Sequence, residues 1–216
     1  MAREILASDR FPIVHLAGLD VGSSAVNPRR LCYALHAHST MKETEIIHSA
    51  LASLRARITL ALPAQIRDCI DLLDDEQIWW RPNEESNSIG NIVLHISGSL
   101  NLFLNRNLGG IEYHRDRKAE FAERRRIPKA ELLAVFDDMV ANAEKTFDAL
   151  DVDKLGEPSP EPTMHNLVVD DLINVVSHLA NHAGQIVWIT KMLRGSAVDE
   201  IWIRAHKMHA WTPTPK

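Results

Sequence analysis

Four stretches of the chain carry apolar residues at helical intervals, and none shows the period-two alternation of a half-buried strand. The clearest is the last: positions 172, 175, 176, 179, 183 and 186 are apolar and share one helix face. This pattern predicts a helix from about Asn166 to Arg194, with Gly195 placed to end it. The first stretch runs from about Lys42 to Asp74 and is broken or kinked near Pro63, which has no backbone N–H to donate. The second follows "NEESNS", where Asn87 or Ser88 can cap it, and continues to Leu108 before Gly109 and Gly110 stop it. Pro128, of a type favoured at a first helical position, opens the third, which reaches about Leu150. Pro158, Pro160 and Pro162 separate it from the last. The expected fold is all-α: a four-helix bundle with long connections after its second and third helices, not a simple up-down one.

The first forty residues lack this periodicity, and Pro12, Gly18, Gly22 and Pro28 interrupt them. Helical text begins at Met41. The expected organisation is a flexible tail or extension over 1–40 ahead of a native start at Met41, a bundle over 41–195 and a C-terminal tail over 196–216. One feature opposes that start: Thr40 and Glu43 have capping-box spacing.

Composition narrows the function classes. At 216 residues the chain suits one ordinary domain, and 45% hydrophobic with 25% charged residues is normal for a soluble core-forming protein. A net charge of -5 argues against a nucleic-acid partner. The only dense basic run, Arg124 to Arg126 after "EFAE", reads as a solvated loop. Cys32 and Cys69 form no C-x-x-C pair, so neither a disulfide framework nor a thiolate zinc knuckle is expected, and a reducing cytoplasm fits best. No apolar stretch reaches the roughly 18 residues needed to span a bilayer, and no secretory pattern opens the chain, so no membrane partner is expected.

The candidate chemistry lies in histidines on two of the predicted helices. His178 and His182, four apart, share a helix face and can reach one ion. A third ligand must come from elsewhere, and His95, midway along the second helix, is the natural candidate. Three neutral imidazoles leave a coordination position open, as catalytic zinc sites do. The alternative reading is packing: among 11 histidines an H-x-x-x-H pair arises readily by chance. The Glu of H-E-x-x-H is missing, its place taken by Leu179, so a metalloprotease of that type is unsupported. His36, His38, His206 and His209 fall in tail-like segments and read as surface residues.

The surrounding text tips this balance. A Trp80-Arg81-Pro82 turn, a Ser88-Ile89 helix start, the mid-helix His95, and a last helix bearing His178, His182, Gly184, Gln185 and Ile186 occur in order and suitably separated. Over roughly Thr44 to Gly195 the chain thereby resembles the DinB-like superfamily. That resemblance implies a four-helix bundle, often dimeric, in which His95, His178 and His182 bind a divalent metal. It also implies kinship with transferases that use a low-molecular-weight thiol such as bacillithiol, mycothiol or glutathione.

The expected partners are therefore a small-molecule thiol and an electrophilic substrate. A metal in such a site lowers the pKa of water or holds a thiol as thiolate, the reactive nucleophile. The alternatives are a metal-dependent hydrolase and a non-catalytic bundle whose metal stabilises the fold or a dimer. Zinc, nickel, iron and manganese all suit imidazole. Gln185 and Asn91 are candidates to orient a ligand or line the cavity, with interhelical packing as the bland reading of each. Trp79 and Trp80 are candidates to wall a pocket, or core plugs. Arg81, Arg106 and Lys191 are candidates for the carboxylates of a thiol cofactor. Cys32 and Cys69 are poor nucleophile candidates.

Overall fold

The computed structural model describes residues 28–160 and 166–198, with side chains from residue 42 onward. Among these residues the protein is all-helical, without a strand; a single bridge pairs Pro158 with Leu167. The chain divides into two units, Met1–Glu43 and Thr44–Lys216. In the first unit the described part, from Pro28, is helical. The helix α1 (Pro28–Ala56) runs through Met41, so Thr40 lies inside a helix and caps none. Residues 1–27 of the expected tail, and 199–216 of the C-terminal one, lie outside the described residues; His36 and His38 fall where side chains are not described.

A π-helical turn (Arg57–Ala61) joins α1 to α2 (Leu62–Asp71). This is the break expected near Pro63. Proline cannot donate to the carbonyl four residues back, and the wider turn accommodates it, with Leu62 N–H reaching back to the Arg57 carbonyl. A short α3 (Asp75–Ile78) is closed by an Asp74–Gln77 capping box, and α4 (Ile89–Leu100) by the Ser88–Asn91 box. α4 passes into a second π-helical segment (Asn101–Arg106) before Gly110, at φ 66°, ends it. The side chain of Asn105 is fully buried there, donating to Asn101 Oδ1 at 2.8 Å and to the Met139 carbonyl at 3.1 Å.

The expected long connection then contains α5 (Arg117–Ala122). α6 (Lys129–Ala149) follows, with Pro128 at its N-cap and not inside its first turn. A 3-10 turn (Val152–Gly156) leads towards α7 (Val168–Arg194), which starts two residues later than the pattern predicts and ends at Gly195 as expected. A last 3-10 turn covers Gly195–Val198.

α2 packs on α7, α7 on α4, α4 on α6, and α6 back on α2 and its preceding π turn, while α5 lies along α4. The shared core holds Ile66, Ile70, Ile96, Leu100, Phe136, Met139, Leu172, Leu179 and Ile186. All six apolar α7 positions read from the sequence face it, five buried and Val176 partly so. No described helix is long and apolar enough to cross a membrane.

Candidate metal centre

α4 and α7 bring together His95 and the His178–His182 pair, which the sequence places on two separate helices. One ring nitrogen from each of His95, His178 and His182 lies within 4.8 Å of the other two. His178 Nε2 is 3.1 Å from His95 Nε2 and 3.1 Å from His182 Nε2. The rings stand nearly perpendicular to one another, with interplanar angles of 77°, 80° and 84°. His95 is buried; His178 and His182 are half-buried.

The outer nitrogens decide what the inner ones can do. His95 Nδ1 lies 3.0 Å from Glu120 Oε2, and a carboxylate only accepts, so Nδ1 carries the proton. Arg115 Nη2 also approaches His95 Nδ1, at 3.1 Å, but it can only donate and already donates to Glu120 Oε2 at 2.9 Å. The carboxylate therefore sets the tautomer. His182 Nδ1–H donates to Gln185 Oε1 at 2.8 Å in the same way. Both rings thus present bare Nε2 lone pairs towards His178 Nε2.

A single proton on His178 cannot satisfy this arrangement. Placed on Nε2, it serves one neighbour well and leaves the buried Nδ1, which has no hydrogen-bond partner, bare. Placed on Nδ1, it leaves three lone pairs facing one another. A cation at their focus satisfies all three Nε2 atoms at once. For imidazole–metal distances of about 2.0–2.1 Å, adjacent ligand nitrogens are about 3.3–3.4 Å apart in a tetrahedron and about 2.9 Å in an octahedron. The two 3.1 Å separations fall between, and the ligand atoms of His95 and His182 lie within 4.8 Å of each other, so the donor set matches the ligand chemistry of a divalent first-row metal.

Electrostatics agree. Burial, then the neighbouring His182, His95 and Arg115, lower the His178 pKa to about 4 from 6.5, and burial lowers that of His182. Neutral imidazole is the ligand form. Burial raises the Glu120 pKa, but hydrogen bonds from His95 and Arg115 outweigh it and hold the carboxyl below its usual range. The His178 shift has a stability consequence for the metal-free protein. The unfolded chain takes up this proton near pH 6.5 and the folded one only near 4, so stability present above 6.5 is lost as pH falls through that window. The urea midpoint should fall between pH 7 and pH 4.5, and fall less in a His178→Phe variant; equal declines would show that His178 is not the group responsible.

Of the other sequence candidates, Gln185 orients His182, as above. Asn91 does not reach the histidines: it completes the α4 cap and donates Nδ2–H to the carbonyls of Glu120 (3.0 Å) and Glu123 (3.1 Å). Trp79 is a plug, lying against Gly90 and donating Nε1–H to the Ile127 carbonyl at 2.9 Å. Trp80 does wall a pocket: with Ile92, Gln185 and Trp188 it lines an open cavity of about 290 Å³. Arg81 pairs with Glu84 at 3.2 Å, and Arg106 and Lys191 lie exposed. Cys69 is buried, which pushes its thiol up to about 11 and removes it as a nucleophile; the side chain of Cys32 lies outside the described residues.

Sequence reading missed Glu120 and Arg115. Glu120 lies in the "EFAE" that precedes the Arg124–Arg126 run read as solvated loop, and Arg115 lies ahead of it, yet their side chains are only 8% and 10% exposed. Arg115 precedes the Asp116 cap of a six-residue helix, so no helical spacing links it to Glu120. Asp116 as a cap was the one readable signal of that helix.

A comparison with curated proteins gives no match. The model of the family described as protein of unknown function (DUF1572) matches residues 46–207, which include all three histidines, Arg115 and Glu120. By that match over most of its length, the chain belongs to the DUF1572 family.

Proposed function

We propose that this protein is a DinB-like four-helix bundle in which His95, His178 and His182 hold a divalent metal, and that it is a metal-dependent enzyme acting on small molecules. The closed ring of contacts from α2 through α7 and α4 to α6 supports the bundle. The convergence of three Nε2 atoms, two of them tied down through Nδ1, is the observation that carries the metal. A bound metal supplies Lewis acidity, which favours the deprotonated form of a water or thiol.

The chain's own groups set the rest. Three imidazoles fill ligand roles, and none is left to act as general base. Gln185 links the centre to the cavity beside Trp80 and Trp188, which gives a small molecule somewhere to sit. The resemblance to DinB-like thiol transferases makes S-transfer to an electrophile the reaction type we assign, with hydrolysis by metal-bound water as the alternative. Cys69 is buried with its thiol pushed up to about 11, so the thiol in this reading is a small molecule. The solvent-facing Ile173, Trp188 and Met192 on α7 suit a homodimer contact. A metal that only stabilises the bundle is the competing reading, and the cavity next to Gln185 speaks against it.

The first test is metal content, measured by mass spectrometry on untagged protein after reconstitution, against His182→Ala. Near-stoichiometric metal in the wild type, lost from the variant, is the expected result. Folded wild type that takes up no divalent metal would sink the proposal. Given metal, the enzyme reading requires metal-dependent consumption of a thiol in the presence of an electrophile.

A further inference from the structure

His95 is held far more completely than either of its partners. His182 has a single amide, Gln185, on its outer nitrogen, and His178 has nothing there. The His95 imidazole meets the Glu120 carboxylate on its Nδ1 edge and the Phe121 ring on its face, at a centroid distance of 4.6 Å. Both contacts come from α5. Arg115 fixes the carboxylate in turn, its Nε–H donating to Oε1 at 2.7 Å and its Nη2–H to Oε2 at 2.9 Å.

The helix beneath has made room for this carboxylate. A Cβ on Gly98, one turn beyond His95, would stand 2.1 Å from Glu120 Oε1 and 2.9 Å from Cδ. Glycine inside a helix is less favourable than alanine, yet here no side chain fits without moving the ion pair. Asn91 binds the α5 backbone on the other side, through the carbonyls of Glu120 and Glu123. The two α4 residues that flank His95 by roughly a turn thus serve to seat Glu120.

We propose that Glu120 is a positioning residue for the metal centre. Its carboxylate, held by Arg115 in the gap at Gly98, locks His95 in the tautomer that presents Nε2 to the metal. This rests on the reading of the three histidines as ligands. Without Glu120, His95 is free to carry its proton on Nε2 and donate it across 3.1 Å to His178. That hydrogen bond closes the site against a cation.

The test is Co(II) titration of the whole chain, comparing wild type, His182→Ala, Glu120→Gln and the double variant Arg115→Met/Glu120→Gln. The double variant leaves no uncompensated buried charge and guards against a mere folding failure. A carboxylate behind a ligating histidine typically contributes 10–100-fold in metal affinity. Both Glu120 variants should therefore bind Co(II) about 10–100-fold more weakly and show a shifted visible d–d spectrum, while the folded fraction of the metal-free double variant stays near wild type. A purely structural role would lower stability and leave affinity and spectrum of the folded protein unchanged; that outcome overturns the positioning role while metal binding by wild type still stands. Wild type that takes up no Co(II) overturns both.

Discussion

Replacing His178 with phenylalanine is expected to weaken divalent-metal binding by about 70- to 850-fold, while the metal-free variant unfolds at the same or a higher urea concentration than wild type. The two halves of this result have different causes. Structural zinc sites bind with about 10–16 kcal/mol over four ligands, or about 2.5–4 kcal/mol per ligand, which is a factor of about 70 to 850. Removing the central imidazole deletes the atom that both other Nε2 atoms face at 3.1 Å. Stability moves the other way because His178 is a poor packing residue: its buried Nδ1 has no partner, and an unsatisfied buried polar group costs about 1–3 kcal/mol. Phenylalanine keeps a ring among the perpendicular imidazoles without that atom. Metal titration together with urea unfolding checks both. A variant that loses metal and also several kcal/mol of metal-free stability would identify His178 as a core residue first.

Gly98→Ala is expected to be the most damaging methyl addition near the centre, destabilising the metal-free protein by about 2–4 kcal/mol and weakening metal binding with it. In an exposed helix this change would gain about 1 kcal/mol. Here the new Cβ would lie 2.1 Å from Glu120 Oε1 and 3.4 Å from Arg115 Nε. The clash is with the end of a side chain, which can ordinarily swing away. This one cannot do so freely, because its oxygens accept from Arg115 and His95 with little exposure to solvent. Breaking a buried pair costs about 3–5 kcal/mol, which outweighs the helix gain. Chemical denaturation measures the loss, and Gly184→Ala on α7 is the control, since nothing lies within 4 Å of the corresponding Cβ there. Equal effects at the two positions would mean that the Glu120 seat is loose.

The sequence by itself determined the parts governed by local rules. Helical periodicity marked the buried face of α7, because residues that recur at 3.6 positions must share an environment. Asn87 or Ser88, Pro63 and Gly195 punctuated the helices for equally local reasons: a cap, which the structure puts at Ser88, a missing donor and a stop. The pairing of His178 with His182 is of the same kind, one turn of one helix. The sequence named His95 as their partner through its place on another helix and a resemblance; the meeting itself is set by packing α4 on α7, which no spacing along the chain encodes. Tertiary structure also decided what Glu120 and Arg115 are. A carboxylate in a charge-rich run looks solvated until a six-residue helix folds it over a glycine, and burial beside His95 then turns an ordinary surface charge into the group that orients a ligand. The same holds for Asn91, whose type suits a cap but whose second pair of hydrogen bonds exists only once α5 lies along α4. Spacing along one helix can be read in one dimension; a site assembled from α4, α5 and α7 needs the packing that brings their faces together.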